Sequence, residues 1–256
     1  MKISIPAWRS LKVLQRNLDV WRAHWLSSII ANLGEPILYL FVLGVGLGRL
    51  VPEVNGMSYL YFLAPGIMVA AAMNSASYEC TFGSYTRMMT QKSYEAILMT
   101  PISVEEIVIG DVLYGALKGL FSATALAALL VLIDVIDLTP ALLSIPLLFL
   151  TGFLFACLSM IVTALSPSYE FFSYYFTLFI TPMFLLSGVF FPIDSLPPWI
   201  QRVSLCFPLT HSVQIARSLI YEVTWMPHLG SLLWLLVMTS FSLFIAIRLC
   251  HRRLIR

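Results

Sequence analysis

Four ionisable side chains of this 256-residue chain stand inside long apolar runs: Glu35, Glu79, Asp111 and Lys118. A charge in hydrocarbon is costly unless it meets a counter-charge, a partner helix or a polar path, so each is a candidate functional group. Asp111 and Lys118 are seven positions apart, about two helical turns. Side chains lean towards a helix's N-terminus, so Lys118 is expected to reach back to Asp111 as an intramembrane polar pair; a substrate contact is the other reading. Glu35 precedes Pro36, which removes a backbone hydrogen bond and kinks helices. A charge at such a kink faces either a substrate path or a neighbouring helix. Hydrolytic chemistry finds no support. There is no G-x-x-x-x-G-K-[ST] phosphate loop, no HExxH and no Ser/His/Asp order. His24, His211, His228 and His251 fall at the borders of apolar runs and read as interfacial polar residues rather than catalysts. Cys80, Cys157, Cys206 and Cys250 are scattered, without the spacing of a tetrahedral metal site. Three lie in or beside apolar runs, so no disulfide framework is expected. The chain is therefore read as a non-enzyme with no catalytic or metal-binding residues and no cofactor of its own.

The elements that must position these groups are set by composition. The chain is 59% apolar and 11% charged, against roughly 45–50% and 25% in soluble domains, and its mean hydropathy is +0.89. Lipid must be the solvent for most of these side chains. A net charge of +2 is too mild for a nucleic-acid partner. Lys2, Arg9, Lys12, Arg16, Asp19 and Arg22 interrupt the first 25 residues, so no cleavable signal peptide is expected. A bilayer-spanning helix needs about 20 apolar residues. Six stretches qualify: 26 to 48, 57 to 80, 107 to 133, 142 to 165, 171 to 191 and 229 to 249. With both termini cytoplasmic, Lys2, Arg9, Lys12, Arg16, Arg22, Arg87, Lys92, Arg248, Arg252, Arg253 and Arg256 lie inside. Only Arg49, Arg202 and Arg217 lie outside, as the positive-inside rule requires.

Between the spans the sequence is also patterned. Trp8, Leu11, Leu14, Leu18, Trp21 and Trp25 recur every three or four residues among basic ones, which predicts an amphipathic interfacial helix within residues 1–25. The interior loop 81 to 106 contains Ser103 and Glu106, spaced as a capping box that starts the third span near Val104. Pro101 stops a separate short helix at 92–99. Segment 192–224 is broken by Pro192, Pro197, Pro198 and Pro208 and reads as two short re-entrant helices in the outer leaflet, capped by Asp194 or Ser195 and by Thr210. Gly44/Gly48 and Gly115/Gly119 have the spacing that lets helix backbones approach. The aromatic run at 171–176, including Tyr174 and Tyr175, reads as an interface belt or as a wall on which sugar rings stack. The fold class is thus an all-α integral membrane protein: one transmembrane domain over 1–256, with 26–191 as spans one to five, 192–224 as the outer re-entrant helices and 229–249 as span six.

Two stretches together resemble the type-2 ABC exporter permeases. They are Tyr94-Glu95-Ala96-Ile97-Leu98-Met99-Thr100-Pro101-Ile102-Ser103, and Ser187-Gly188-Val189-Phe190-Phe191-Pro192 continuing through Leu196-Pro197 to Pro208-Leu209-Thr210 and Arg217. The branch most similar is that of the nodulation-factor, or lipo-oligosaccharide, exporter permeases. The resemblance implies a homodimer in the bacterial inner membrane with two separate cytoplasmic P-loop ATPase subunits, which hold the ATP and magnesium. It implies outward passage of a glycolipid, lipo-oligosaccharide, polysaccharide or amphipathic drug. It makes Lys92, Tyr94, Glu95, Leu98, Thr100 and Pro101 the ATPase-coupling residues. Glu35, Tyr174, Tyr175, Phe190, Phe191, Pro192 and Pro208 become candidates for the substrate path or its outer gate. The alternative class is a secondary transporter with Glu35, Glu79 or Asp111 as proton-coupling groups. Residues 26–133 and 142–249 show none of the internal repetition common in that class.

Overall fold

The computed structural model describes residues 7–23, 34–51, 53–54, 56–222 and 228–255. An interfacial helix α1 (Ala7–Arg22) comes first. The described part of α2 runs from 34 to 39 and continues through π-helical turns Leu40–Gly46 and a 3₁₀ turn Leu47–Arg49. The expected first span begins at 26, so its opening third and the backbone bond affected by Pro36 lie outside the described residues. A two-stranded ribbon, β1 (Glu53–Val54) and β2 (Met57–Ser58), pairs Glu53 with Ser58 and turns at Gly56 with φ +76°. Then follow α3 (Tyr59–Thr90), α4 (Ser93–Leu98), α5 (Val104–Leu132), α6 (Leu138–Leu143) and α7 (Ile145–Leu165). The chain ends with α8 (Glu170–Leu186), α9 (Pro198–Ser204), α10 (Pro208–Tyr221) and α11 (Leu229–Leu254).

Among the described residues, four helical stretches are long and apolar enough to cross a membrane: Tyr59–Thr90, Val104–Leu132, Leu138–Leu165 and Leu229–Leu254. Among them α3 is the centre of the bundle, with 83% of its most apolar stretch buried, whereas α11 has 22% and turns most of its surface outward. The expected fifth span is shorter than 171–191. Its helix ends at Leu186, because Gly188 takes φ +80° and reverses the chain. At 1.5 Å per residue α8 is about 25 Å long.

The capping box forms as expected. Ser103 Oγ accepts from the Glu106 amide at 3.4 Å, and the Ser103 amide donates to Glu106 Oε2 at 2.7 Å, a cap worth about 1 kcal/mol. The separate short helix is also present, entered through Lys92 in the left-handed region at φ 51°. Two local expectations are corrected. The loop expected to begin at 81 is still helix: α3 runs to Thr90 through π-helical segments Glu79–Gly83 and Thr86–Thr90. There Thr81 and Thr86 donate their hydroxyls to the carbonyls of Ser77 and Phe82, each at 2.7 Å. Such back-bonding satisfies polar groups inside an apolar helix while its turns widen. The outer helices are not capped by Asp194, Ser195 or Thr210. Ser195 instead donates to the Pro192 carbonyl at 2.7 Å, and α9 and α10 begin on Pro198 and Pro208. A first-turn proline has φ already set and lacks an N–H that would need a partner. Helix α1 buries Ser10, Val13 and Asn17 against α5 and leaves Trp8 (73%) and Leu11 (46%) exposed. The face chosen for burial is the small one because Gly110 of α5 lies beneath it.

Close backbone approach holds the centre together. A Cβ built on Gly119 of α5 would lie 2.6 Å from the carbonyl oxygen of Ala72 on α3, and one on Gly110 would lie 2.8 Å from that of Ser10. At the other edge Arg253 of α11 donates to the terminal carbonyls of α7, Thr163 at 2.7 Å and Ala164 at 3.0 Å. Gly119→Val is expected to cost about 1–3 kcal/mol by overpacking and to lower the thermal unfolding temperature of the purified protein by several degrees. Gly230→Ala, at a site with nothing within 4 Å, is the control expected to leave it unchanged or slightly raised.

Candidate functional site

The residues with chemistry converge at the end of the bundle where α3, α4, α5 and α1 meet. Asp111 lies two turns into α5 and is 1% exposed. Its Oδ1 accepts from Asn17 Nδ2 of α1 at 2.6 Å. Its Oδ2 accepts from Ser84 Oγ at 3.0 Å, from Arg87 Nε at 3.2 Å and from the hydroxyl of Tyr94 on α4. Arg87 also pairs through Nη1 with Glu79 Oε1 at 2.7 Å, and Glu79 Oε2 takes Lys118 Nζ at 2.6 Å. The Tyr114 ring lies beneath both cations, 5.4 Å from the Arg87 guanidinium carbon and 5.8 Å from Lys118 Nζ. Two carboxylates face two cations, so the cluster is neutral as a whole and each charge in it is bonded, the condition under which burial of ions is tolerated.

The expected Asp111–Lys118 pair is therefore corrected. Both residues belong to one network, but Glu79 and Arg87 of α3 stand between them, and each takes the nearer opposite charge. Arg87, Ser84 and Asn17 were missed because residues 81–90 read as loop, and because Asn17 lies off the apolar stripe of α1. The available signal was an unpaired Glu79 followed eight positions later by Arg87, about two helical turns.

Helix α4 hangs on this network by one side chain. Tyr94 is 1% exposed and points inward. Burial, with the Asp111 charge beside it, pushes its hydroxyl well above its ordinary pKa, so it remains a donor at neutral pH. Leu98 is half-buried, whereas Lys92, Glu95, Thr100 and Pro101 face outward, next to Met99 at 88% exposure. The Pro101 carbonyl accepts from Arg9 Nη1 of α1 at 2.5 Å. The six coupling candidates thus fall on α4 or directly beside it, with Tyr94 anchored, Leu98 half-buried and the other four exposed.

The path and gate candidates do not form one cluster. Glu35 and Tyr174 are exposed, and the Tyr175 hydroxyl meets Ser159 Oγ of α7 at 3.2 Å. Phe190, Phe191 and Pro192 are half-buried at the far end, and Pro208 is buried. There Phe190 packs on Phe184 and Tyr39, and its carbonyl accepts from the Tyr59 hydroxyl at 3.1 Å. Between the two ends, near-parallel rings line α3 and α8: Phe176 stacks on Tyr78 at 4.3 Å and on Phe82 at 6.0 Å, and Phe82 is flanked by Tyr169 at 6.5 Å. His211 closes the turn before α10, its Nε2–H donating to the Leu205 carbonyl at 2.9 Å and its Nδ1 meeting Ser231 Oγ at 3.0 Å. Burial holds its pKa below the usual histidine value, in keeping with that neutral tautomer. Among the described residues no group of His, Cys, Asp or Glu is arranged to hold a metal ion, and all four cysteines are free.

Replacing Asp111 by Asn leaves Arg87 without half of its counter-charge. A loss of roughly 3–5 kcal/mol is expected, the cost of breaking a buried pair. It is read as a lower unfolding temperature in detergent, with Asn17→Ala giving a smaller drop of about 1–3 kcal/mol.

A family model for the ABC-2 type transporter matches residues 11–221. Among curated relatives, "Nodulation protein J" of Rhizobium meliloti (strain 1021) is 39% identical over 218 residues, covering 84% of this chain and 83% of that protein. The protein of the same name from Sinorhizobium fredii (strain NBRC 101917 / NGR234) is 37% identical over 256 residues, 98% of this chain and 97% of its own. "Inner membrane transport permease YadH" of Escherichia coli (strain K12) is 23% identical over 207 residues, 80% of each chain. A bundle of apolar helices with a buried neutral ionic network behind a short exposed helix, matched over most of its length by this family model, belongs to the ABC-2 type transporter family.

Proposed function

We propose that this chain is the membrane-spanning permease subunit of an ATP-driven exporter, acting as a homodimer with two separate ATPase subunits that bind the ATP and magnesium. The observation that carries the reading is α4 with the turn after it: an exposed surface of Glu95, Met99, Thr100 and Pro101 fastened by Tyr94 to Asp111 of α5, and through it to α1 and α3. A partner pressing on that surface moves a carboxylate on which three other helices converge. The proton-coupled alternative is disfavoured, because Glu79 and Asp111 are already committed to Arg87 and Lys118.

In this reading six helices cross the membrane, α2 and α8 being the first and fifth, with both termini and α4 in the cytoplasm. The aromatic rings of α3 and α8 form the path wall, and α9 and α10 are re-entrant helices at the outer end. The substrate is amphipathic and glycan-bearing, a glycolipid, lipo-oligosaccharide or polysaccharide. Support comes from the family, from the relatives named as nodulation and inner-membrane transport proteins, and from the excess of Lys and Arg on the side assigned to the cytoplasm.

Co-expression with a candidate partner ATPase tests the lever. Tyr94→Phe removes one hydroxyl and no volume, and transport is expected to fall about tenfold, the equivalent of one buried hydrogen bond to a charge, while the complex still assembles and hydrolyses ATP. Glu95→Arg is expected to weaken assembly itself. Unchanged transport in both variants would remove α4 from the mechanism. Orientation has its own assay, since Cys206 is exposed and Cys80, Cys157 and Cys250 are buried. A membrane-impermeant maleimide added to intact cells is expected to label the wild type and not Cys206→Ser. Labelling confined to inverted vesicles would reverse the topology.

A further inference from the structure

The end of the bundle opposite α4 holds a cavity of about 430 Å³ between residues 192–194, α9, α10 and the start of α3, within the range of small-ligand sites, about 300–1,000 Å³. Its wall differs in kind from that of the groove of about 390 Å³ between α1 and α5, where Leu18, Trp21 and Phe121 present an almost wholly apolar surface suited to lipid chains. Around the outer cavity stand Arg217, Gln201, Gln214, Asp194, Glu222 and Tyr221. Donors and acceptors alternate there.

Arg217 is the most unusual of these groups. Its guanidinium lies 3.9 Å from the centre of the Phe62 ring and donates through Nη2 to the Gly188 carbonyl at 2.5 Å. Among the described residues no carboxylate is within ion-pair distance of it, and its Nε is buried without a hydrogen-bond partner. That Nε is enclosed by protein, so Arg217 meets the cavity with the rest of its side chain, beside the Tyr221 hydroxyl. Gln201 spends its amide nitrogen on the Asp194 and Leu196 carbonyls, at 3.3 and 2.8 Å, and keeps its oxygen as an acceptor. The side chain of Gln214, in the middle of α10, makes no hydrogen bond among the described residues.

The wall selects against simple ligands. Asp194 and Glu222 together outweigh Arg217, so a small anion is repelled, while a cation meets the guanidinium. An acyl chain would strand the amides. A sugar ring donates and accepts around its rim and offers C–H faces to Ile193 and Leu205, which also line the cavity. We propose that this outer cavity binds a sugar ring of the exported substrate, with Gln214 and Arg217 as its principal polar contacts. The inference rests on the exporter reading for the word exported, but binding itself is measurable without ATP or the ATPase.

The full chain in lipid nanodiscs, free of nucleotide, is titrated with maltotriose and tri-N-acetylchitotriose as sugar probes and with inorganic phosphate as the anion probe, using saturation-transfer NMR. At least one sugar is expected to bind, about tenfold more weakly in Gln214→Leu, the loss of one to two hydrogen bonds, with phosphate silent. Glu222→Gln, at an exposed helix end, is a second variant expected to weaken sugar binding and to tolerate phosphate better. The unfolding temperature of each variant confirms that it is folded. Absence of sugar binding, sugar binding indifferent to both variants, or phosphate binding in the wild type would overturn the proposal. Nucleotide-driven transport by the assembled complex, assayed separately, would still stand in each of those cases.

Discussion

Everything at one end of this molecule depends on the need to neutralise Asp111 away from water. A carboxylate in a low-dielectric interior is tolerated only when its lone pairs are filled and its charge answered. Asp111 meets that demand with groups from three other helices: Asn17 of α1, Ser84 and Arg87 of α3, and Tyr94 of α4. The reciprocal demand of Arg87 draws in Glu79, and that of Glu79 draws in Lys118. None of these groups can move far without exposing a charge to hydrocarbon, so the helices that bear them are constrained to move together. A short helix such as α4, too short to be stable alone, gains from this anchor a defined place at the bundle's end.

The network can form only because the helices lie so close. Gly119 and Gly110 remove the side chains that would separate α5 from α3 and α1, and the hydroxyls of Thr81 and Thr86, bonded back to their own helix, let α3 continue past the expected membrane border. Those extra turns carry Ser84 and Arg87 to the carboxylate. Hydroxyl and small residues thus set the geometry, and the ionic groups make use of it. Lipid-facing surfaces carry no such requirement, and α11 accordingly buries little of its length.

At the opposite end the physics is that of punctuation. Gly188 at φ +80° ends α8 early, prolines start both outer helices, and His211 and Arg217 fasten the resulting turns to backbone carbonyls. These polar fastenings leave a cavity lined by both donors and acceptors, whereas the end beside α4 is closed by matched charges. The two ends of one bundle are thereby chemically distinct.

The sequence by itself determined the class of the molecule. Composition required a lipid-solvated helical protein, Ser103 and Glu106 put the start of α5 near Val104, Pro101 set apart the short helix, and the prolines after 191 divided segment 192–224 in two. These are local signals, readable because caps, breakers and apolar length act within a few residues of the backbone they govern. The pairing of charges was not readable in this way. Sequence spacing put Lys118 with Asp111 on one helix, but a charge pairs with whatever opposite charge is nearest in space, and the neighbours Glu79 and Arg87 arrive from another helix. The same holds for Asn17, which lies off the apolar stripe yet is buried where its amide meets the Asp111 carboxylate, and for Arg217, a motif residue whose place over Phe62 and Gly188 depends on three segments meeting. Only the tertiary structure decides such contacts, since their energies depend on distance through space and not along the chain.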